Sequence, residues 1–367
     1  MREGWVYKKL NEVCDKGSSN ITINKLSDCN GDYPLYGASG LVKYVDFYHQ
    51  DKPYIGIVKD GAGVGRVNIY PAYSSLVGTM QYIFAKDNCL LDYLKYFLVK
   101  LDLSHCVSGA TIPHIYFKDY GKERIPIPSL DIQRKIVSEL DKIKELISLK
   151  QSQLSNLDSL SQSIFYDMFG DPGENEKGWE VKTFGELGTI ERGAGISKKD
   201  FVDEGLPCIH YGQLHTILGP TTKHHYASIP KSLLPKYKIA HTGDLIMAIT
   251  SEDVEGSCKS TAWLGDYDIV IGSDAAILHH EQNGTFLSYY TMTKAFFNEK
   301  AKYAKGFKVT HISTKEIESI PVYLPPLSLQ QEFANRIEAI EQQKQYINST
   351  INELKTLLAS RMQYWFD

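Results

Sequence analysis

In two stretches of the chain, Pro128 to Gly170 and Pro325 to Asp367, apolar residues recur at alternating intervals of four and three. The first carries Ile136, Leu140, Ile143 and Ile147, then Leu154, Leu157, Ile164 and Met168; the second carries Phe333, Ile337 and Ile340, then Ile347, Ile351, Leu354, Leu358 and Trp365. This spacing predicts a coiled-coil seam on each of two helices, and at ~1.5 Å per residue each helix is roughly 60 Å long. The stretches are also copies of one another. Pro128 and Pro325, Leu130 and Leu327, Gln133 and Gln330, Leu157 and Leu354, Leu160 and Leu357, and Phe169 and Phe366 all stand 197 positions apart, without a gap. Lys150 and Ser161 interrupt the first seam where the second has Ile347 and Leu358; Lys344 and Arg361 interrupt the second where the first has Ile147 and Ile164. Neither seam suits a self-pairing zipper, so the pattern predicts a matched pair within one molecule.

Outside the helices the pattern changes to short β-like runs between turn residues: YPLYGASGLVKYV, PYIGIVKDGAGVGRVNIY and LVGTMQYIFA, followed by a helical LLDYLKYFLVKL. In the opening GWVYKKLNEV, Trp5, Val6 and Leu10 predict a short buried segment. Pro126 and Pro128 hold their preceding residues out of helical conformation, which starts the first long helix after them with a cap near Asp131. DPGENEKGWEV is a loop and the natural boundary. Beyond it the first half repeats: Gly4 returns as Gly178, Gly65 as Gly256, Gly78 as Gly272 and Gly109 as Gly306, with His114 and Ile115 matching His311 and Ile312. The growing offset puts most of the second half's extra residues between about 190 and 245. The expected organisation is a globular part at 1–127, a helix at 128–170, a linker at 171–177, a second globular part at 178–324 and a second helix at 325–367. The fold class is α/β (α+β) with an internal pseudo-twofold repeat.

Composition narrows the function. The apolar and charged fractions are those of a globular protein, and no apolar run approaches the ~18 residues of a membrane span, so a cytoplasmic location is expected. Six scattered cysteines (Cys14, Cys29, Cys89, Cys106, Cys208, Cys258) show no metal or disulfide spacing and are read as packing residues. The net charge is −4; residues 1–170 carry 20 Lys+Arg against 19 Asp+Glu, and the remainder 20 against 25. A nucleic-acid binder of this charge needs help with phosphates.

Catalytic motifs are missing. GAGVGR (Gly61 to Arg66) lacks the GK[ST] ending of a phosphate loop and reads as a turn between strands. YLPPLS has neither the acidic or amide residue nor the aromatic of an adenine-methyltransferase motif, and reads as a turn before a helix. Asp171, Glu174 and Glu176 lie in the linker loop. His210, His215, His224, His225 and His241 crowd the second half without ligand spacing, so no metal is expected. CIHYGQLHT, read as a loop after a strand, combines amide, aromatic and imidazole groups that suit base reading in a major groove or serve as plain surface residues.

The order of these parts resembles the specificity subunit of type I restriction-modification systems over essentially the whole chain. The pair GATIPHIYFKDYGKERIPIPSLDIQRKI and GFKVTHISTKEIESIPVYLPPLSLQQEF carries the resemblance most specifically, supported by YPLYGASG, IVKDGAGVG and CIHYGQLHT. The resemblance implies a non-catalytic DNA-reading subunit whose two globular target-recognition domains are separated by two long antiparallel coiled-coil helices. Each domain reads half of a bipartite, asymmetric site in double-stranded DNA, and the helices set the gap. Two adenine methyltransferase subunits dock on the repeated helices and ATP-driven restriction subunits join. No cofactor belongs to this chain; S-adenosylmethionine, ATP and Mg belong to the partners. The expected DNA contacts are Tyr36, Lys43, Lys59, Asp60 and Arg66 in the first domain and Tyr211, Gln213, His215, Ser251, Glu252, Lys259 and Lys308 in the second. His114 and His311 either touch phosphate or cap the helix start, and Arg66 to guanine and Gln213 to adenine are the favoured pairings. The alternatives are the recognition subunit of a fused restriction-methyltransferase and a coiled-coil adaptor without DNA specificity.

Overall fold

The computed structural model describes residues 4–26, 30–109, 111–232, 237–304 and 309–367. It forms two compact units, one of Met1–Ser152 with Asn348–Asp367 and one of Gln153–Ile347. The long helices span Leu130–Phe169 and Leu327–Phe366, so both divisions fall inside a helix. Each unit therefore holds the start of its own helix and the end of the other.

In the first unit the opening strand Val6–Lys9 runs antiparallel to Arg124–Ile127, the strand leading into the first long helix. This pairing ties the two ends of the globular part together. Leu10 is buried as expected, but Val6 is 55% exposed, because a two-stranded ribbon leaves one face in water. A four-stranded sheet follows in the order Cys14–Ser18, Met80–Ala85, Tyr54–Val58, Val67–Tyr70, beside a three-stranded sheet of Gly40–Val45, Tyr33–Gly37 and Ser75–Leu76. Tyr54–Val58 sits inside its sheet and is buried throughout, which is why it is an unbroken apolar run. Its Ile55 and Ile57 pack with Leu94 and Phe97 of the helix Leu91–Leu101, with Ile136 and Leu140 of the first long helix, and with Met362 and Phe366 of the second.

The second unit repeats this plan. Glu180–Thr183 pairs antiparallel with Pro321–Leu324, just ahead of the second long helix. The sheet order Gly188–Arg192, Ala275–His280, Leu245–Ala248, Ser260–Trp263 matches the first unit strand for strand, and Thr221–Thr222 adds a fifth. The extra residues of this half also supply Leu206–Ile209, Ala227–Ile229 and Lys238–Ala240, which join Ile269–Ile271 in a separate sheet. Phe165 and Phe169 from the end of the first helix meet Phe286 and Phe333 with ring centroids 4.9 to 5.8 Å apart.

Every expected seam residue is buried or half-buried: Ile136, Leu140, Ile143, Ile147, Leu154, Leu157 and Ile164 on the first helix, Ile337, Ile340, Ile347, Ile351, Leu354 and Leu358 on the second. The polar interruptions have partners. Lys344 sits between Asp158 and Glu341, 2.7 Å from each, and Arg361 pairs with Glu139, which also accepts from the Trp365 indole at 3.1 Å. The buried Ser161 hydroxyl donates to the Leu157 carbonyl, and Lys150 is half-buried. In the second unit Asp158 faces Lys344 and Phe165 faces Phe333, so the helix segments there run antiparallel.

The repeated glutamines explain their own repetition. Gln133 is fully buried; its amide donates to the carbonyls of Pro128 and Asn88 and accepts from the Leu90 N–H at 2.8 Å. Gln330 donates to Pro325 and Gln282 and accepts from the Asn283 N–H at 3.0 Å. Each amide fastens the start of a long helix to the helix of its globular part. The first long helix begins at Leu130, so Asp131 lies within its first turn, paired with Arg134, rather than capping it. At its far end the Lys177 ammonium and the Trp179 indole donate to the last carbonyls, of Asp167, Met168 and Phe169, which gives the linker loop a structural duty. Cys14, Cys89, Cys208 and Cys258 are buried and Cys106 half-buried; Cys29 lies outside the described residues.

Replacing Gln133 by Leu leaves a buried N–H and two carbonyls unpaired, and is expected to destabilise the protein by ~1–3 kcal/mol in urea unfolding. The same change at exposed Gln151 should stay within ~0.5 kcal/mol.

Candidate nucleic-acid interface

In the second unit the sequence CIHYGQLHT is a strand, Leu206–Ile209, followed by a short helix, Tyr211–Thr216, instead of the expected loop. A capping box stabilises the turn: the Gln213 carbonyl oxygen accepts from the His210 N–H at 2.9 Å, and His210 Nδ1 accepts from the Gly212 N–H at 3.2 Å. Burial, and secondarily Lys198, push the His210 pKa down, so at neutral pH the ring is uncharged with its proton on Nε2. Gln213 Oε1 is thereby committed to the backbone. Its two-point pairing with adenine requires that cap to open, and its amide N–H donors are what it presents as folded.

This helix forms one wall of a cleft of about 900 Å³; the loop from Thr250 to Lys259 forms another. Six of the seven described candidates of this domain line it: Tyr211, Gln213, His215, Ser251, Glu252 and Lys259. His215 Nε2 lies 3.1 Å from the Thr250 carbonyl and Lys259 Nζ donates to the His215 carbonyl at 3.2 Å, so helix and loop are cross-linked. His311 joins from the strand Thr310–His311, paired with Thr250–Ser251, its Nδ1 3.2 Å from the Thr250 hydroxyl. This contact anchors the loop; the long helix starts well beyond it, at Leu327, so His311 does not cap that helix, and its ring is exposed. Lys308 lies outside the described residues. Lys198, Phe201, Asp253 and Val309 also line the cleft and were not legible, because they come from three separate stretches with no common motif.

The first unit builds the equivalent loop differently. GAGVGR lies between the antiparallel strands Tyr54–Val58 and Val67–Tyr70, and Gly61, Gly63 and Gly65 adopt φ of +84°, +86° and +86°, which side chains rarely tolerate. Asp60 is bridged to His114, and the Lys59 carbonyl and Gly61 N–H bond to Ile115 and Pro113 at 2.9 Å. Lys59 forms an ion pair with Asp60, and exposed Arg66 donates to the Ala38 carbonyl at 2.8 Å. The structure thus gathers Lys59, Asp60, Arg66 and His114. Tyr36 is half-buried against Tyr70, ring centroids 4.7 Å apart, and the Lys43 ammonium is committed to the Leu26 carbonyl at 2.6 Å.

The remaining histidines stay apart from the cleft, His225 on the Tyr267 hydroxyl and His241 on Asp268, and among the described residues no three His, Cys, Asp or Glu side chains converge as metal ligands. No helix of the described residues is long and apolar enough to cross a membrane.

The profile of a family described as "Type I restriction modification DNA specificity domain" matches residues 2–158 and again 176–356. The type I restriction enzyme MjaVIII specificity subunit of Methanocaldococcus jannaschii is 24% identical over 309 residues, covering 77% of this chain and 71% of that one. The MjaIX specificity subunit of the same organism is 22% identical over 377 residues, covering 92% and 86%. The fold is that of the S subunit of a type I restriction-modification system from M. genitalium, with a TM-score of 0.57 at 14% identity over 99% of this chain and 96% of the other. A chain from a structure describing complex assembly and conformational transition of the type I R-M system gives 0.58 at 17% identity, over 99% and 97%.

Selective histidine labelling and NMR titration should show His210 as the Nε2–H tautomer at pH 7, titrating below its ordinary 6.5. Because the folded pKa is depressed, the stability this cap contributes is present above pH 6.5 and fades as pH falls; a midpoint at or above 6.5 contradicts the buried cap.

Proposed function

The chain belongs to the type I restriction modification DNA specificity family, and from that premise we propose that its two units read the two halves of one bipartite, asymmetric DNA site. Specificity subunits of this family recognise DNA and act with methyltransferase and restriction subunits. The observation carrying the finer reading is a conserved scaffold with exchanged chemistry. In each unit a strand-connecting loop is paired to a histidine that precedes the long helix, Asp60 to His114 and Thr250 to His311. The side chains on the two loops differ. The first offers Lys59, Asp60 and Arg66, whose guanidinium suits guanine O6 and N7; the second offers Glu252 and Lys259, with the Gln213 amide on the neighbouring helix, which suit exocyclic amines and carbonyls of other bases. Two loops of different chemistry read two different sequences.

The repeat also supports two equal docking surfaces. Beside the first long helix, Leu90 and Asp92 face a groove with Arg134, Val137, Asp141 and Glu145; beside the second, Asn283 and Thr285 face one with Gln331, Ala334, Glu338 and Gln342. The helix positions correspond pair by pair, 197 apart. One methyltransferase subunit on each groove, with restriction subunits joining, is the assembly we assign, in the cytoplasm. S-adenosylmethionine, ATP and Mg then act in those partners, and their basic surfaces offset a net charge of −4 against the phosphates. Continuous helices of 40 residues set the unread gap.

Mapping methylated adenines across the genome with and without this gene tests the reading: one bipartite motif should disappear. Arg66→Ala should relax one half-site by ~1–3 kcal/mol at a single base and leave the other half untouched. A heptad inserted after Leu154 and another after Ile351 should widen the gap by about three base pairs, from ~1.5 Å per residue and ~3.4 Å per base pair, with both half-sites kept. New half-sites at an unchanged gap would refute the spacer role.

A further inference from the structure

Behind the cleft of the second unit, Lys300 is only 4% exposed. Its ammonium donates to the Glu255 carbonyl at 2.8 Å and to the Ser257 carbonyl, and it lies over the Phe296 and Phe297 rings at 6.0 and 5.5 Å. Both carbonyls belong to the loop whose other side presents Ser251, Glu252, Asp253 and Lys259 to the cleft. Within the loop the Gly256 N–H donates to Asp253 at 2.7 Å and the Ser257 hydroxyl donates to Val254 at 2.7 Å, and at its ends Thr250 and Lys259 bond to His215, which leaves Lys300 as the side chain holding the carbonyls between them.

The first unit shows that a cation is not required to pack this place. There buried Leu103 stands behind the loop against Gly65, and glycines at positive φ hold the turn. The second loop has Glu252, Asp253 and Val254 where the first has Gly61, Ala62 and Gly63, so its backbone is not held by the same turn chemistry. An ammonium taken out of water costs far more than a leucine unless it makes bonds that nothing apolar can make. The bonds it makes here hold two carbonyls of one loop. Burial pulls its pKa below the ordinary lysine value, yet nearby Glu255 and Asp253 favour the charged form.

Resting on the reading of the cleft as a half-site reader, we infer that Lys300 is a positioning residue for specificity: it clamps the Glu252–Lys259 loop in the one shape that discriminates bases, without touching DNA itself. Lys300→Met then acts on one half-site alone. The test selects duplexes from a randomised pool with the full chain assembled with its methyltransferase, for wild type and Lys300→Met, alongside amide hydrogen exchange of the loop. The expected result is one half-site selected as stringently as in wild type, the other relaxed by about ten-fold in base preference, and faster exchange at residues 253–258 only. Wild-type stringency at both halves, or equal loss at both, overturns the inference. If wild type selects no bipartite motif, the half-site reading itself fails instead. Should Lys300→Met not fold, Lys300→Gln, which keeps a donor but is too short to hold both carbonyls, carries the same comparison.

Discussion

Neither globular part completes its core with its own long helix. The first needs Met362 and Phe366 from the last turns of the second helix, and the second needs Phe165 and Phe169 from the last turns of the first. Burying such side chains contributes ~1.5–3 kcal/mol each, so the helix ends are structural parts of the opposite repeat and not free extensions. This exchange makes the duplication a single folding problem. It also explains why the helices have kept a gapless register while the domains between them drifted, since one inserted residue would carry the terminal aromatics off the core they fill.

Charged and amide groups add register to that apolar pairing. Arg361 holds the Glu139 carboxyl below the usual carboxylate range, but both side chains are about one-third exposed, so the pair contributes little stability. Its value is in selecting one alignment of the seam, as do Lys344 and Asp158. Gln133 and Gln330 work differently. They are buried, every polar atom has a protein partner, and they couple helix direction to the globular part at the same point in both repeats.

On this common frame the two loops are held by unlike means. In the first unit glycines at positive φ let the backbone turn tightly; in the second a cation buried behind the loop does what the glycines do not. A scaffold that tolerates both solutions leaves the surface side chains free to change, which is the physical condition for two readers of different sequence.

The periodic helices, their 197-residue repeat, the strand runs and the loop boundary were legible because each depends on residues near one another in sequence or on a fixed spacing. Sheet order, the exchange of helix ends and the cleft were not, since they join residues far apart with no shared motif. The same limit hid local details that only the fold reveals. Val6 is exposed because its strand has one neighbour, Gln213 is partly spent on a cap because His210 precedes a helix, and Lys300 is a clamp only because the fold brings it behind Glu255 and Ser257. By itself the sequence determined a duplicated, helix-linked chain with two diverged surfaces. Tertiary structure decided which polar atoms remain available on those surfaces, because a hydrogen bond within the fold removes a donor or acceptor that the residue type alone still offers.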